Sequence, residues 1–475
     1  MQVRSIAAAL VAAAALACSN VTTLLAPRVT TYCGRGTLGL EPADVPHTGG
    51  AVVAEVLPGG PAEAAGVKKG DVVVRVGIKQ IATACDLVDA ALDRPTCAAV
   101  SVGIVRGGAP MEIVVTPVDR AMFYGKSCGA GNALGCFRLG WLAWSGDGVP
   151  HDDARAMEQY ADACTRGVAE ACAFRGWHLI DEEDAKAGDV IATLTRSCDL
   201  GSASGCTYLA FLYSTGTVAA RDDVRATPLF VRACDLGDAG GCYNVGLMYA
   251  EGRGVKADLA RAVAAYDDGC RGGSTTACTN LGYLYDYGEG VPKDEKRAFE
   301  LYRRGCEATS CRPSNLRGCV NLGRAYRDGT GVAKDAARAA TIFEEACHRA
   351  IDDDDVDPEE NQARACALLG GLYLTGDGVK KDLVSGRELS ERACEENDAF
   401  GCFNAATICA TGLGVEPDLE TAARLYDTAC EAQDGESCYE LALLYEEGKG
   451  VGRDDARAAE LRRRACQFGF QKSCR

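Results

Sequence analysis

The 475-residue chain contains few histidines and no apolar run long enough to cross a membrane. The four histidines are scattered without the spacing of metal ligands, so no metal site is predicted: His47, His151, His178 and His348. The 50 basic residues are outnumbered by 67 acidic ones, and the net charge of −17 argues against nucleic acid or an anionic membrane surface as a partner. The motifs Ser-x-x-Lys, Ser-Asp-Asn and Lys-Thr-Gly are also missing, which argues against penicillin-type serine chemistry. No catalytic residue and no cofactor is therefore predicted.

Cysteine, by contrast, is abundant, with 26 residues. From Cys128 onward the cysteines recur in couples, most of them eight positions apart and most offset from the next couple by 36 residues, which indicates an internal repeat. Two couples are stretched. The ten couples are Cys128/Cys136, Cys164/Cys172, Cys198/Cys206, Cys234/Cys242, Cys270/Cys278, Cys306/Cys319, Cys347/Cys366, Cys394/Cys402, Cys430/Cys438 and Cys466/Cys474.

The spacing of the couples predicts how each is built. Eight residues of one unbroken helix span about 12 Å, whereas the Cα atoms of a disulfide lie within about 7 Å of each other. If each couple is bridged, a helix must therefore end between its members. Three places after the first cysteine stand residues that tolerate a left-handed helix cap, although Gln433 breaks the pattern: Gly131, Gly167, Gly201, Gly237, Gly273, Asn397 and Gly469. Each couple is predicted to be a disulfide staple, a bond joining the end of one helix to the start of the next.

The N-terminus and the cysteines indicate an exported protein. Met1–Arg4 is a short basic start, and Ser5–Ala17 is an alanine-rich run typical of a secretory signal. Residues 15–18, Ala-Leu-Ala-Cys, resemble a bacterial lipoprotein cleavage box, although Ala15 stands where Leu is usual. The resemblance implies a lipid-modified Cys18 and a lipoprotein-type signal peptide over residues 1–18. Ordinary signal cleavage nearby, which would remove Cys18, is the alternative. Paired cysteines independently indicate an oxidising compartment.

Residues 34–118 are predicted to form a small α+β domain, with strands at Ala51–Val56, Asp71–Val76, Ala99–Arg106 and Met111–Thr116. Three segments at 37–40 (Thr-Leu-Gly-Leu), 56–62 (Val-Leu-Pro-Gly-Gly-Pro-Ala) and 65–71 (Ala-Gly-Val-Lys-Lys-Gly-Asp) resemble a bacterial PDZ domain of the HtrA type. HtrA-type relatives carry a protease domain ahead of this module. The segment between Cys18 and Gly34, a linker over residues 19–33, is too short for one, so proteolysis is not expected.

The PDZ resemblance implies a site for a polypeptide end. Such domains add the bound chain as a strand and hold its free carboxylate with consecutive backbone N–H groups. The predicted carboxylate loop consists of Thr37, Leu38, Gly39 and Leu40, and Val88 and Leu92 are predicted to form the opposite wall. A plain core role for Val88 and Leu92 is the alternative. The pairing of Cys33, Cys85 and Cys97 in this part of the chain stays open.

Residues 119–475 are predicted to be all helical, with about nine helix pairs. A Gly-x-Gly-Val loop recurs between the couples at residues 146–149, 252–255, 288–291, 329–332, 376–379, 412–415 and 448–451. The pair after Cys172 has Trp-His-Leu-Ile at 177–180 instead. An acidic residue three places after the valine is predicted to cap or open the second helix: Asp258, Asp294, Asp335, Asp382, Asp418 and Asp454. Cys409 replaces a tyrosine of other repeats and is predicted to be a small buried thiol, and the pairing of Cys311 and Cys409 stays open.

These residues resemble the cysteine-rich secreted branch of the Sel-one-like repeat (SLR). The resemblance implies a superhelical solenoid of disulfide-stapled helix pairs, related to tetratricopeptide arrays, and a scaffold for protein partners. The chain is thus predicted to be a multidomain, non-enzymatic protein of the cell envelope, periplasmic or at the outer membrane. In it the PDZ groove would bind peptide tails or C-termini, and the repeats would bind a second protein. Two alternatives are kept: a structural envelope protein whose PDZ domain binds nothing, and a β-lactamase-like repeat protein.

Overall fold

A computed structural model describes the N-terminal domain in part and the helical repeats almost entirely. The described residues are 36–37, 40–43, 50–56, 60–82, 87, 100–115, 118–147, 149–180, 186–307, 315–349 and 358–474. Cys18, His47, Cys33, Cys85, Cys97 and Cys311 lie outside them. The chain divides into two compact units, the first ending at Ala277 and the second beginning at Cys278. Within the described residues, no helix combines the length and apolarity required to span a bilayer.

The first unit opens with eight described strands and a short helix. The strands are β1 Gly36–Thr37, β2 Leu40–Ala43, β3 Ala51–Val56, β4 Val72–Val76, β5 Lys79–Gln80, β6 Val100–Arg106, β7 Ala109–Val115 and β8 Val118–Asp119, and the helix, α1 Pro61–Ala64, follows β3. Five of the strands form an antiparallel sheet in the order β2–β3–β4–β6–β7, with β5 paired to β4. The other two, β1 and β8, pair with each other. The four predicted strands are confirmed as β3, β4, β6 and β7, with ends that differ by one or two residues.

The core of this domain lies under one face of the sheet. Val102 and Ile104 are alternate residues of β6, and an irregularity in β4 turns Val73 and Val76, three positions apart, to the same side; all four are fully or almost fully buried. Leu87 is buried in the same cluster. The sheet is therefore supported by a continuous apolar core.

The remainder of the first unit is helical. One leading helix is followed by four hairpins, and consecutive helices pack side by side. The helices are α2 Arg120–Gly129, α3 Ala133–Ser145, α4 Asp153–Thr165, α5 Ala169–His178, α6 Ala187–Asp199, α7 Ala203–Thr215, α8 Asp223–Asp235, α9 Ala239–Glu251 and α10 Leu259–Arg271.

The second unit is built from five hairpins of the same kind, the first of which begins three residues before the boundary. The helices are α11 Thr275–Tyr287, α12 Glu295–Cys306, α13 Leu316–Asp328, α14 Ala336–His348, α15 Pro358–Thr375, α16 Leu383–Glu395, α17 Ala399–Thr411, α18 Leu419–Glu431, α19 Gly435–Glu447 and α20 Asp455–Gln467, with a final 3₁₀ turn at Gln471–Ser473. In the described chain the hairpins number nine, as predicted. The first helix of each precedes the loop and the second follows it.

Disulfides join the second helix of one hairpin to the next first helix, so the predicted kind of staple is confirmed. The bonds are Cys128–Cys136, Cys164–Cys172, Cys198–Cys206, Cys234–Cys242, Cys306–Cys319, Cys347–Cys366, Cys394–Cys402, Cys430–Cys438 and Cys466–Cys474. Cys270 and Cys278 are disulfide-bonded residues as well. The Cα–Cα distances of the nine bonds run from 4.4 to 4.9 Å, well inside the disulfide range.

A three-residue turn makes each staple possible. Between α6 and α7, for example, Gly201 N–H donates to Cys198 O (3.0 Å) and Ser202 N–H to Ser197 O (3.1 Å), which closes the end of α6. Ser202 then caps α7 by accepting from Gly205 N–H. Gly201 has a φ of +92°. Asn397 and Gln433, the two departures from glycine, adopt the same left-handed backbone (φ +61° and +67°), so the turn is retained where glycine is absent.

The Gly-x-Gly-Val loops and their acidic caps also have the predicted roles. Each of the six predicted aspartates is the N-cap of a second helix and accepts a hydrogen bond from a backbone N–H of the first turn. In the loop after α13, Gly331 lies against the start of α12, where a Cβ would overlap the carbonyl of Glu295. This loop thus holds the α13–α14 hairpin against the one before it.

Glycines in the first helices admit large rings from the second helices. A Cβ on Gly282 would lie 2.8 Å from Tyr302 Cε1. Gly323 faces Phe343, which is fully buried, still more closely. These glycines thus allow the two helices of a hairpin to approach closely, at a cost of about 1 kcal/mol of helix propensity per glycine relative to alanine.

Candidate binding surfaces

Strand β2 forms one end of the N-terminal sheet. It pairs with β3 in the register Leu40↔Val56 to Ala43↔Val52, with a bulge between Glu41 and Pro42. Among the described strands none pairs with its other edge. An open edge of this kind accepts an extended chain through backbone hydrogen bonds. Pro42 has no N–H to donate, which limits the number of such bonds.

The predicted carboxylate loop connects two strand pairs. Thr37 ends β1, which pairs with β8 through Gly36↔Asp119 and Thr37↔Val118, and Leu40 begins β2. Leu38 and Gly39, between them, lie outside the described residues, as do Val88 and Leu92. The assignment of all six residues to a peptide site therefore stays a prediction. What the structure adds is that both ends of the loop are fixed by strand pairing, and the short pairing of β1 with β8 was not predicted.

A buried ion pair supports the opposite part of this domain. Asp71, with 2% of its side chain exposed, accepts hydrogen bonds from Arg106 Nε and Nη2 (both 2.7 Å) and from Lys68 N–H (2.8 Å). Arg106 also donates to Gly66 O at 2.7 Å. Burial alone would raise the pKa of Asp71, but the bonds from Arg106 and Lys68 outweigh burial and hold this pKa below its ordinary value. The pair thus ties β6 to the Gly66–Asp71 turn.

Replacing Arg106 with leucine is expected to loosen the sheet most at neutral pH. Asp71 stabilises the fold above its unfolded-state pKa of about 4, and that contribution is lost as pH falls through its lowered folded-state pKa. Without Arg106 the buried carboxylate is unpaired, so hydrogen–deuterium exchange of β4 and β6 in the full chain should quicken roughly tenfold or more at pH 7.

The same comparison at about pH 4, where the unpaired Asp71 is protonated, should show a much smaller difference between Arg106→Leu and the wild type. Arg75→Leu is the control, because Arg75 pairs with the exposed Glu112. A loss of protection that is equal at both pH values would contradict this role of Asp71.

A second surface is formed by the first helices of neighbouring hairpins, which contact one another within each unit: α5 with α7, α7 with α9, α13 with α15 and α15 with α17. In the first unit this face is filled by aromatic packing. Trp177 of α5 lies with its ring centroid 4.7 Å from that of Tyr208 of α7, and both are buried.

In the second unit the corresponding face carries exposed aromatic and basic groups. Tyr283 and Tyr287, one turn apart on α11, have ring centroids 4.4 Å apart and are 38% and 56% exposed. Arg317 of α13 donates from Nη2 to Asn280 Oδ1 of α11 at 2.8 Å. Sequence reasoning missed this surface, because its residues occupy repeat positions that differ in type from one hairpin to the next.

The one group of described residues with metal-ligand proximity is Cys128, Cys136 and Asp162, and both of its sulfurs are taken up in a disulfide. Cys409 is a free, partly buried thiol at the edge of an apolar cluster, where burial raises its pKa and so favours the unreactive thiol form.

The fold consists of a small α+β domain followed by a solenoid of disulfide-stapled helix pairs. Sequence comparison agrees. The Sel1 repeat family matches eight segments that together cover more than half of the chain: 133–167, 203–238, 239–264, 275–310, 316–350, 363–398, 399–434 and 435–467. The chain therefore belongs to the Sel1 repeat family. Of the nine hairpins, the α5–α6 hairpin lacks a match. It has no Gly-x-Gly-Val loop, although the α7–α8 hairpin, which has only Gly-Thr-Val at 216–218, is matched.

The N-terminal segment matches the PDZ domain family over residues 36–116. It is also 38% identical over 73 residues to serine protease HTRA1 of Xenopus tropicalis. This alignment covers 15% of the present chain and 15% of the protease, and it lies in the PDZ part. The chain thus spans a small fraction of that relative, and no catalytic domain is part of the likeness.

Similar solved structures are repeat proteins. One is c5321, described as a protective antigen of uropathogenic Escherichia coli with an SLR fold (22% identity, 74% of this chain and 80% of that chain covered, TM-score 0.46). A Sel1 repeat protein from Oxalobacter formigenes is 19% identical, with 70% and 91% covered and a TM-score of 0.47. Cysteine rich protein B of Helicobacter pylori is 28% identical, with 28% and 96% covered and a TM-score of 0.24.

PDZ domains and Sel1 repeats are protein-interaction modules, so the class of partner is a protein or peptide. The many disulfides indicate an oxidising compartment, because paired thiols persist where no reducing pool opens them.

Proposed function

We propose that this protein is a non-enzymatic scaffold of a bacterial cell envelope that joins two protein partners. The PDZ domain binds the C-terminus or an unstructured tail of one partner along β2, and the Sel1 repeats bind a second protein. A lipid on Cys18 anchors the chain. The observation that carries the proposal is the open edge of β2, which begins where the predicted carboxylate loop ends.

The peptide site is tested with a library of peptides offered to the full-length, oxidised protein. Peptides with a free C-terminus and an apolar last residue are expected to bind. Because the carboxylate is held by backbone N–H groups, amidation of that terminus should weaken binding roughly tenfold or more. Fluorescence anisotropy of labelled peptide pairs that differ only in the amide provides the measurement.

A substitution in β2 tests whether the peptide binds along this strand. Glu41→Pro would remove a second backbone N–H from a strand that already contains Pro42, and it should weaken every free-carboxylate peptide. Glu55→Gln on the neighbouring β3, which pairs with Glu41, is the matched control because it keeps the backbone donors. Binding that is indifferent both to amidation and to Glu41→Pro would favour the alternative, a structural envelope protein with a PDZ domain that binds no tail.

A further inference from the structure

The second unit carries a surface of exposed tyrosines and two arginines, although the chain as a whole is acidic. It consists of Asn280, Tyr283 and Tyr287 on α11 with Arg317 and Arg324 on α13, and it is called here the α11–α13 surface. Tyr283 and Arg324 occupy the same position in their hairpins, each five residues after the second cysteine of a couple, Cys278 or Cys319. The two residues therefore occupy equivalent positions on two neighbouring first helices, which the hydrogen bond from Arg317 to Asn280 connects.

The tyrosine pair is open to a ligand. More than a third of Tyr283 and more than half of Tyr287 are exposed, although their rings stack on each other. Large side chains with only two rotatable bonds bind a partner at small entropic cost, and exposed tyrosines are enriched where proteins meet. In the first unit the positions equivalent to Tyr283 include the buried Trp177 and the partly buried Phe211, so an exposed tyrosine at this position is a feature of this part of the array.

The two arginines are not neutralised as others are. Arg253, Arg462 and Arg464 each hold a carboxylate at 2.9, 2.6 and 2.6 Å. Arg317 instead donates to the neutral Asn280, and Arg324 is exposed, with no ion pair at contact distance among the described residues. The acid nearest Arg324 on its own helix, Asp328, is already paired with Arg327 at 2.7 Å.

The charged residues around the α11–α13 surface make its two sides opposite in sign. The negative charges of Glu289 and Asp286 act electrostatically on Tyr283 from the loop side of α11. Asp286 also accepts a hydrogen bond from the Tyr302 hydroxyl at 3.3 Å. Arg317 acts on Tyr283 from the α13 side. The surface is thus negative beyond α11 and positive along α13, with the two rings between.

From this charge pattern we propose that the α11–α13 surface binds an extended polypeptide segment with one or two carboxylate side chains beside an aromatic or proline residue. The carboxylates pair with Arg317 and Arg324, whose fork-shaped guanidinium groups donate bidentate hydrogen bonds to them. The aromatic or proline ring packs on Tyr283 and Tyr287. This inference names the chemistry of the second partner and rests on the proposed role of the repeats.

The test uses a random library of twelve-residue peptides with acetylated and amidated ends, selected on the full-length, oxidised protein. Blocked ends remove the free carboxylate that the PDZ domain is proposed to read, so the two sites are tested separately. Enriched peptides are expected to carry Asp or Glu next to Tyr, Phe, Trp or Pro. Replacing the acids of an enriched peptide with their amides should weaken binding about tenfold, and raising the salt from 0.05 to 0.5 M should weaken it as well.

Variants then assign the binding to the surface. Arg317→Gln with Arg324→Gln should weaken the enriched peptide about tenfold, and Tyr283→Ala with Tyr287→Ala by a similar factor. Arg327→Gln is the matched control, because Arg327 lies on the same helix but is engaged by Asp328. Circular dichroism of each variant shows whether the helices are retained.

Wild-type affinity in the Arg317/Arg324 double variant, or an enriched set without acids, would overturn the proposal. Loss of free-carboxylate binding at β2 with unchanged binding of blocked acidic peptides would instead count against the PDZ half of the proposed function and leave this inference standing.

Discussion

Reduction of all disulfides is expected to unfold the helical repeats at temperatures where the oxidised protein remains folded. Each disulfide between cysteines eight positions apart closes a loop, and this closure contributes about 2–3 kcal/mol to the free energy of unfolding in the chain-entropy model. In a repeat array, stability is the sum of small contributions from each hairpin and its contacts with its neighbours, so loss of this amount at every turn leaves the hairpins with little net stability. Both helical content and tertiary packing should be lost together.

Two measurements follow the reduction. Far-ultraviolet circular dichroism reports all helices, and tryptophan fluorescence reports the first unit alone, because the three tryptophans of the chain are Trp141, Trp144 and Trp177. Since many of the sulfurs are buried, the reductant must be equilibrated in mild denaturant before the thermal scans. A reduced protein that melts within a few degrees of the oxidised one would contradict the role given to the staples.

Removal of one staple measures how much a single disulfide contributes to the free energy of unfolding. Cys430→Ala with Cys438→Ala is expected to cost about 2–3 kcal/mol, because it opens one nine-residue loop whose two sulfurs are fully buried. Cys409→Ser is the control, since it removes a thiol that forms no bond. If both variants unfold at the same urea concentration, the staple contributes nothing measurable.

The second large effect is expected at the loop glycine Gly331. Its φ is +73°, which costs an L-residue about 1–2 kcal/mol, and a Cβ there would overlap the Glu295 carbonyl, which belongs to rigid helix backbone. Gly331→Ala should therefore destabilise the region by about 3 kcal/mol or more, because neither strain nor overlap can be relieved by a side-chain rotation.

The neighbouring loop glycine separates these two causes. Gly329 has a similar φ of +76°, but an added Cβ would only approach the Lys334 side chain at 3.3 Å. Gly329→Ala should cost about 1 kcal/mol, the strain alone. Hydrogen–deuterium exchange of α12 and α13 measures both local free energies in the full chain. Equal effects of the two substitutions would show that the contact with Glu295 contributes nothing.

Much of the fold is predictable, because local chemistry and tertiary structure agree in each repeat. Paired cysteines, a residue that tolerates positive φ and an aspartate cap recur in step with helix ends. Four strands were likewise marked by runs of valine and isoleucine. Strand β2 was not, because its sequence Leu-Glu-Pro-Ala has no alternating pattern, and its pairing with β3 is decided by tertiary contacts. The two-residue strands β1 and β8 carry no local signal at all.

The left-handed backbone at Gln433 could not be predicted from its residue type. A turn flanked by a staple imposes this backbone on a residue that does not prefer it.

The candidate sites were less predictable for a different reason. Exposure of Tyr283 and Tyr287 depends on what the neighbouring hairpins place beside them, and helical spacing alone does not report this. Arg317 and Arg324, which form no ion pair among the described residues, could not be recognised from a net charge of −17, since composition averages over surfaces of opposite sign.

The position of the staples has a consequence for how the chain responds to proteases. Each short turn between α6 and α7, or between α18 and α19, lies inside a covalent ring closed by its cysteines. A cut in such a turn opens the ring but releases no fragment. A cut in a Gly-x-Gly-Val loop, which no sulfur bond spans within the hairpin, severs the protein into two pieces. Under non-reducing conditions the fragments of limited digestion should therefore end at these loops, and their lengths should count whole repeats.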